Sequence, residues 1–424
     1  MLASLVNEYH RTDNHWALMV TKNLDILTEK NKETAKYFSS RIETNKISGF
    51  DNVFCTDGYS MECIIDITNN LIDINNKQKI HYPNVDVNGA TIFCSYTEGW
   101  AKDDFFEALH NIIDLLQLQG KIVYTTGSVN IEECYDKFCK KYNKTQKMIC
   151  KYNGSPLFFQ IDNKNYALPK EAIEELTFEN KKLFCTFNWN AWSHRLALIA
   201  LLNHYNLIDD GYISSPTKTK YNYDPENDFS TIKYGCLNYI NQLPDSEQIL
   251  NNLEKLKSIY PLKIDDRSKY THTDQPLTQT ELKMPMLKAR INSIFEVVSE
   301  TRWFGEHFLS EKTFNPIALG KPVIILAASG MLKSFRKLGF KTFNGYVDES
   351  YDNIENDAER TLAIVRELVR LKNMRNNNTT DFNSLVENCD VIAQYNLEFF
   401  INNAAYPKNL YFQYDDYTRF IELC

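Results

Sequence analysis

Two short β-branched runs, residues 294–300 (Ile-Phe-Glu-Val-Val-Ser-Glu) and 323–326 (Val-Ile-Ile-Leu), bracket a polar loop and a segment that opens at Ser310. Runs of this length and branching make buried strands, and the stretch between Ser310 and Lys321 is long enough for one helix with Ser310 as its N-cap. The alternation predicts a parallel βαβ unit and an α/β fold. In such a unit the loop leaving the first strand and the start of its helix face the crevice where open sheets bind ligands. Glu311 and Lys312 fall there. A carboxylate can accept hydrogen bonds from both hydroxyls of a ribose, while an ammonium can neutralise a diphosphate. An exposed Glu-Lys pair on a solvated first turn reads the same way in sequence.

A second segment upstream repeats the pattern. Residues 181–188 (Lys-Lys-Leu-Phe-Cys-Thr-Phe-Asn) predict a strand, His194-Arg195-Leu196-Ala197-Leu198-Ile199 opens a helix, and Tyr205-Asn206-Leu207-Ile208-Asp209-Asp210-Gly211 closes it. Together the two segments resemble the donor-binding half of GT-B glycosyltransferases, closest to the family 10 fucosyltransferases, over residues 181–375. There an Arg opens the first helix and Glu-Lys follows a Phe-rich strand with a polar end. A looser echo exists in phage and giant-virus proteins, where Glu-Lys-Thr-Phe and a later Asp-Glu-Ser-Tyr, here residues 348–351, recur together.

The resemblance implies two Rossmann-like domains facing across a cleft, with extra helices at the C-terminus. It implies a sugar-nucleotide-dependent transferase with Glu311 on the ribose and Lys312 and Arg195 on the diphosphate. Glu300, His194 and Asn188, at the strand ends and helix start, complete the donor set. The co-substrate would be a nucleoside-diphosphate sugar, with no other cofactor. Where the family strand ends in Glu-Asn-Ser, this chain has Ser299-Glu300-Thr301, so base and sugar specificity do not carry over. No Asp-x-Asp pair stands at a convincing strand end, so metal-independent transfer is expected, with cations neutralising the leaving group. The acceptor would be a glycan, another small hydroxyl compound or a hydroxymethylated DNA base. A two-domain protein that binds a nucleotide, glycan or nucleic acid without turnover is the alternative.

A chain of 424 residues, 43% hydrophobic and 24% charged, has room for two or three packed domains. Its formal charge of −8 argues against a surface coated for nucleic acid. The ten cysteines show no Cys-x-x-Cys spacing, which suits reduced, buried thiols. No apolar run reaches the length of a membrane span and the first residues lack a signal-peptide core, so a cytoplasmic protein is expected.

Four domains of organisation are expected: residues 1–46 of open role, an acceptor-side Rossmann-like domain over 47–175, the donor domain over 176–380, and a C-terminal helix and tail over 381–424 that can pack back on the first domain. Strands are predicted near residues 52–55, 90–94, 121–124 and 147–150, with helices over 103–118 and 131–141. After the central unit, residues 331–338, 357–374 and 382–402 predict helices and 341–343 a short strand. Polar stretches 214–228 and 265–280 are candidate active-site loops. Residues 125–130 join a strand to a helix and suit either an anion cradle or a plain turn. For the general base that an acceptor hydroxyl needs, Glu98 and then Asp57 are the candidates, each just after a strand and each equally at home in a turn. His307, Trp189, Trp192 and Trp303 suit either a sugar or the core.

Overall fold

The computed structural model describes residues 52–56, 91–95, 101–115, 120, 122–152, 180–188, 191–215, 228–260, 262, 264, 284–301 and 305–404. Glu98, Asp57, Trp189, Trp303 and most of the two polar stretches lie outside the described residues. The chain divides into two compact units: the described elements up to Tyr152 lie in the first, and the second spans Gln160–Ala405. Each carries its own four-stranded parallel sheet, giving the mixed α/β class that the periodicity predicts.

In the first unit β1 (Asn52–Thr56), β2 (Thr91–Ser95), β3 (Ile122–Thr126) and β4 (Ile149–Tyr152) pair in chain order. Helices α1 (Asp103–Leu115) and α2 (Ile131–Lys141) are the crossovers after β2 and β3. Phe105, Phe106, Leu109 and Ile113 recur at helical spacing and are buried, and Phe106 packs on Tyr135 and Phe138 of α2. Buried among these rings, His110 holds Nε2 2.8 Å from the Tyr135 hydroxyl. That hydroxyl accepts the Lys147 N–H at 2.8 Å. Burial pushes the His110 pKa down to about 4, so the imidazole is neutral and accepts the tyrosine proton. The 125–130 connection is a turn closed on itself: the buried Ser128 hydroxyl donates to Asn130 Oδ1 at 2.8 Å.

In the second unit β5 (Lys182–Phe187), β6 (Gly211–Ser214), β7 (Ser293–Ser299) and β8 (Val323–Leu326) stand in the order β6-β5-β7-β8, all parallel. Leu183 and Val323, from the two segments singled out in sequence, therefore share one sheet. Every residue of β7 is buried, as a central strand covered on both faces requires. Helix α3 (Ser193–His204) joins β5 to β6, and its residues from His194 to Asn203 are all buried. A helix apolar on every side must be enclosed, and α3 packs on α4 (Asp228–Gly235), α5 (Leu237–Ile240), α6 (Ser246–Leu253) and the later α10 (Asp357–Asn377). Gly211 opens β6 because a Cβ there would lie 2.6 Å from the Phe184 ring across the pair.

Between α6 and β7 runs α7 (Met284–Ile291), whose Arg290 forms a two-pronged ion pair with Glu296 of β7, at 2.7 and 3.0 Å. Glu296 is 3% exposed, so this pair decides whether a carboxylate can stand in the strand at all. Helix α8 (Glu311–Ile317) is the β7–β8 crossover, with α9 (Met331–Lys337), α10 and α11 (Thr379–Ala404) following.

One sequence expectation is corrected. Residues 341–343 form no strand, because side chains satisfy the backbone groups a neighbouring strand would have used. Asn396 accepts the Lys341 N–H and donates to its carbonyl, each at 2.8 Å, and Glu349 accepts the Phe343 N–H at 2.6 Å.

Candidate functional site at the switch point of the second sheet

The order β6-β5-β7-β8 reverses direction between β5 and β7. The chain leaving β5 turns toward β6 while the chain leaving β7 turns toward β8, so the two loops part at the carboxyl edge of the sheet. Open α/β sheets bind ligands at this kind of reversal. Among the described strands of the first unit, paired in chain order, there is no such reversal.

Side chains span the parting. His194 and Arg195, at the start of α3, reach the end of β7: Arg195 donates to the Ser299 carbonyl at 3.1 Å and His194 Nε2 lies 3.0 Å from the Glu300 carbonyl. A carbonyl only accepts, so Nε2 carries the proton. Burial first, then the charges of Arg195, Arg360 and Lys312, hold the His194 pKa well below its usual value and keep the ring neutral. Three cations from three separate stretches thus act on one imidazole.

Glu300 is fully buried, and its carboxylate is occupied by the chain itself. It accepts from the Ser310 N–H at 2.9 Å, the Ser310 hydroxyl at 2.6 Å and the Thr313 hydroxyl at 2.6 Å. These bonds fix the first turn of α8 to the end of β7. Ser310 also caps the helix, accepting the Lys312 N–H at 3.3 Å. Lys312 is partly buried and places Nζ 3.2 Å from both the Thr301 and Ser310 hydroxyls. Glu311 is the first residue of α8. Asn188, at the end of β5, donates through Nδ2 to the Ser214 carbonyl at 3.2 Å and through its N–H to the Ser214 hydroxyl at 3.1 Å. Its Oδ1 and the Ser299 Oγ are buried with no hydrogen-bond partner, so the two strand ends flanking the reversal each keep an open polar atom.

Five of the sequence-named donor residues, Asn188, His194, Arg195, Glu300 and Lys312, therefore gather at the switch point, and Glu311 starts the adjoining helix. The catalytic candidates Glu98 and Asp57 are outside the described residues. His307 lies apart from this set, with Nδ1 2.6 Å from the Ser334 hydroxyl and Nε2 2.8 Å from the Ser329 carbonyl.

Sequence reasoning missed Arg360. It is 1% exposed and donates to the carbonyl of Ala327, just past the end of β8, at 2.8 Å and to that of Ile354 at 2.6 Å, while pairing with Asp357. The signal was present: Arg360, Ile364 and Leu368 share one stripe at i, i+4 and i+8, so an arginine stands on the apolar face of α10.

The Asp-Glu-Ser-Tyr run, residues 348–351, serves the fold. Asp348 caps the 3₁₀ turn Glu349–Asn353 by accepting the Ser350 N–H, and Tyr351 is buried. Asp352, next in the chain, accepts the Leu332 N–H at the start of α9.

No family model, characterised protein or solved structure matches the chain. Among the described residues no helix is long and apolar enough to cross a membrane.

Proposed function

We propose that the chain is a sugar-nucleotide-dependent glycosyltransferase of GT-B type, its two parallel units being the acceptor-side and donor-side Rossmann-like domains. The donor diphosphate sits at the β5/β7 switch point. The observation that carries this reading is the convergence of Arg195 and Lys312, more than a hundred residues apart in sequence, on the end of β7, where Arg195 donates to the Ser299 carbonyl and Lys312 lies against the Thr301 hydroxyl. Such a cluster favours a dianion, and a topological reversal is where open sheets take one up.

In the transfer an acceptor hydroxyl oxygen attacks the anomeric carbon, the bond from that carbon to the diphosphate oxygen breaks, and the acceptor proton passes to a base. Negative charge grows on the departing diphosphate. Lys312 and the positive field of Arg195 and Arg360 stabilise that charge without a metal ion, most strongly in the transition state. Glu311 suits the ribose hydroxyls, and Asn188 Oδ1 and Ser299 Oγ suit the rest of the nucleotide. Glu98 or Asp57 of the first unit is the proposed base. The acceptor class is a glycan, another small hydroxyl compound or a hydroxymethylated base.

The full chain, incubated with UDP- and GDP-sugars and a panel of hydroxyl acceptors, should release nucleoside diphosphate, and release should persist in EDTA. Binding of a nucleotide with no release and no mass gain on any acceptor would favour the non-catalytic reading instead.

A further inference from the structure

A groove lined by none of the switch-point residues lies elsewhere in the second unit. It has a volume of about 680 Å³ and runs between α9 and the 349–353 turn. That is within the size range of small-molecule sites, roughly 300–1,000 Å³. Its lining mixes Arg336 and Lys341 with Asp348, Glu349 and Asp352 and the apolar Leu332 and Phe340.

One lining residue, Glu349, has a side chain only 9% exposed. One carboxylate oxygen accepts the Phe343 N–H, whereas the other, Oε2, is buried without a hydrogen-bond partner. Arg336 Nη1 covers that oxygen from 3.6 Å, close enough for attraction and too far for a hydrogen bond. The same Nη1 donates to the Thr342 hydroxyl at 3.0 Å, and the Arg336 side chain remains 49% exposed. Burial raises the pKa of Glu349 and of Asp352 in spite of the hydrogen bonds that each accepts. Unfilled acceptor capacity on a buried carboxylate is costly, and a donor from outside would relieve it.

Charge decides what that donor belongs to. A phosphate drawn by Arg336 and Lys341 would meet three carboxylates, and an ammonium drawn by the carboxylates would meet two cations. A hydroxyl serves both sides, donating to Glu349 Oε2 while accepting from Arg336 as the guanidinium swings toward its exposed side. Further hydroxyls of the same molecule can meet the other charged side chains of the lining, and the C–H face of a sugar ring suits Leu332 and Phe340.

We propose that the groove between α9 and the 349–353 turn binds a neutral carbohydrate, read by Arg336 and Glu349. This stands independently of the donor site, because none of its residues takes part in the switch-point cluster. The test is calorimetric titration of the full chain with maltotriose, cellotriose and triacetylchitotriose, with inorganic phosphate and an amino-sugar oligomer as charged controls. At least one neutral trisaccharide should bind, and the charged probes should not displace it. Arg336→Gln and Glu349→Gln should each weaken binding about tenfold, the loss of one hydrogen bond to a charged group, with melting curves verifying that both variants fold. Absence of binding by all three neutral sugars in the unaltered chain overturns the proposal, as does displacement by phosphate or binding indifferent to both substitutions.

Discussion

Replacing Glu300 tests how the switch point is held together. Its carboxylate accepts three close hydrogen bonds from Ser310 and Thr313 in a fully buried setting. In Glu300→Ala the Ser310 N–H and the Thr313 hydroxyl lose their acceptor and cannot reach water, at about 1–3 kcal/mol each. The Ser310 hydroxyl can rotate, and the truncated side chain adds a packing loss, so the sum is on the order of 3–5 kcal/mol. Glu300→Gln is the informative contrast. Its amide oxygen can still take the Ser310 N–H and Thr313 hydroxyl, and its NH₂ can donate to Ser310 Oγ. The cost falls to about 1–2 kcal/mol, the difference between charge-assisted and neutral bonds. For a unit of this size the transition of the second unit should drop on the order of 10 °C for Ala and about a third of that for Gln. Scanning calorimetry of the full chain reads the shift, and hydrogen exchange on peptides covering residues 311–317 assigns it to α8. Equal behaviour of the two variants, or no faster exchange in α8 for Ala, would show that the carboxylate does not anchor the helix.

Arg290→Ala strands Glu296 as an unpaired buried charge and should cost about 3–5 kcal/mol in denaturant titration, while Arg290→Met combined with Glu296→Leu should recover most of it. A double variant as unstable as the single one would contradict that. The His110 pKa in the folded chain, about 4, lies below the unfolded value of 6.5, so the unfolded state binds more protons between the two. The stability it contributes is full above pH 6.5 and is lost as pH falls toward 4. Melting of the first unit should therefore decline across that window, and a His110→Phe variant with an unchanged pH slope would refute the assignment. Lys312→Ala should reduce turnover more than binding, by about 2–4 kcal/mol of transition-state stabilisation, as for removal of one donor from a charged transition state. Steady-state rates measured over a range of donor concentration separate the two effects.

Much of the second sheet was legible because its strands are short apolar runs and the crossover into β8 begins with a polar cap, Ser310. Val323–Leu326 and Ile131–Lys141 need no correction at either end. The gathering of Arg195 with Lys312 followed from parallel topology, which brings the starts of successive crossover helices to one edge. Other parts were illegible for physical reasons. The role of Glu300 depends on Ser310 and Thr313, residues that only a folded first turn brings back to the strand end. Residues 341–343 look like a strand, yet Asn396, far along the chain, takes the backbone groups of Lys341 and Glu349 takes the Phe343 N–H. Helices α4 to α7 went unread: α4 and α5 are short, and α7 follows a long polar stretch. Strand β6 was hidden in the closing Gly211 of a recognised segment, where the glycine marks close approach to Phe184 rather than a helix stop alone.

The central claim is that the β5/β7 switch point holds a nucleoside diphosphate, and calorimetric titration of the full chain with UDP and GDP tests it without knowledge of sugar or acceptor. The account predicts that one of the two binds at a single site, that its parent nucleoside binds far more weakly, and that Lys312→Ala weakens the diphosphate about tenfold or more while leaving the melting temperature of the chain in place. Failure of both nucleotides to bind folded protein, or equal affinity in the Lys312→Ala variant, would contradict it.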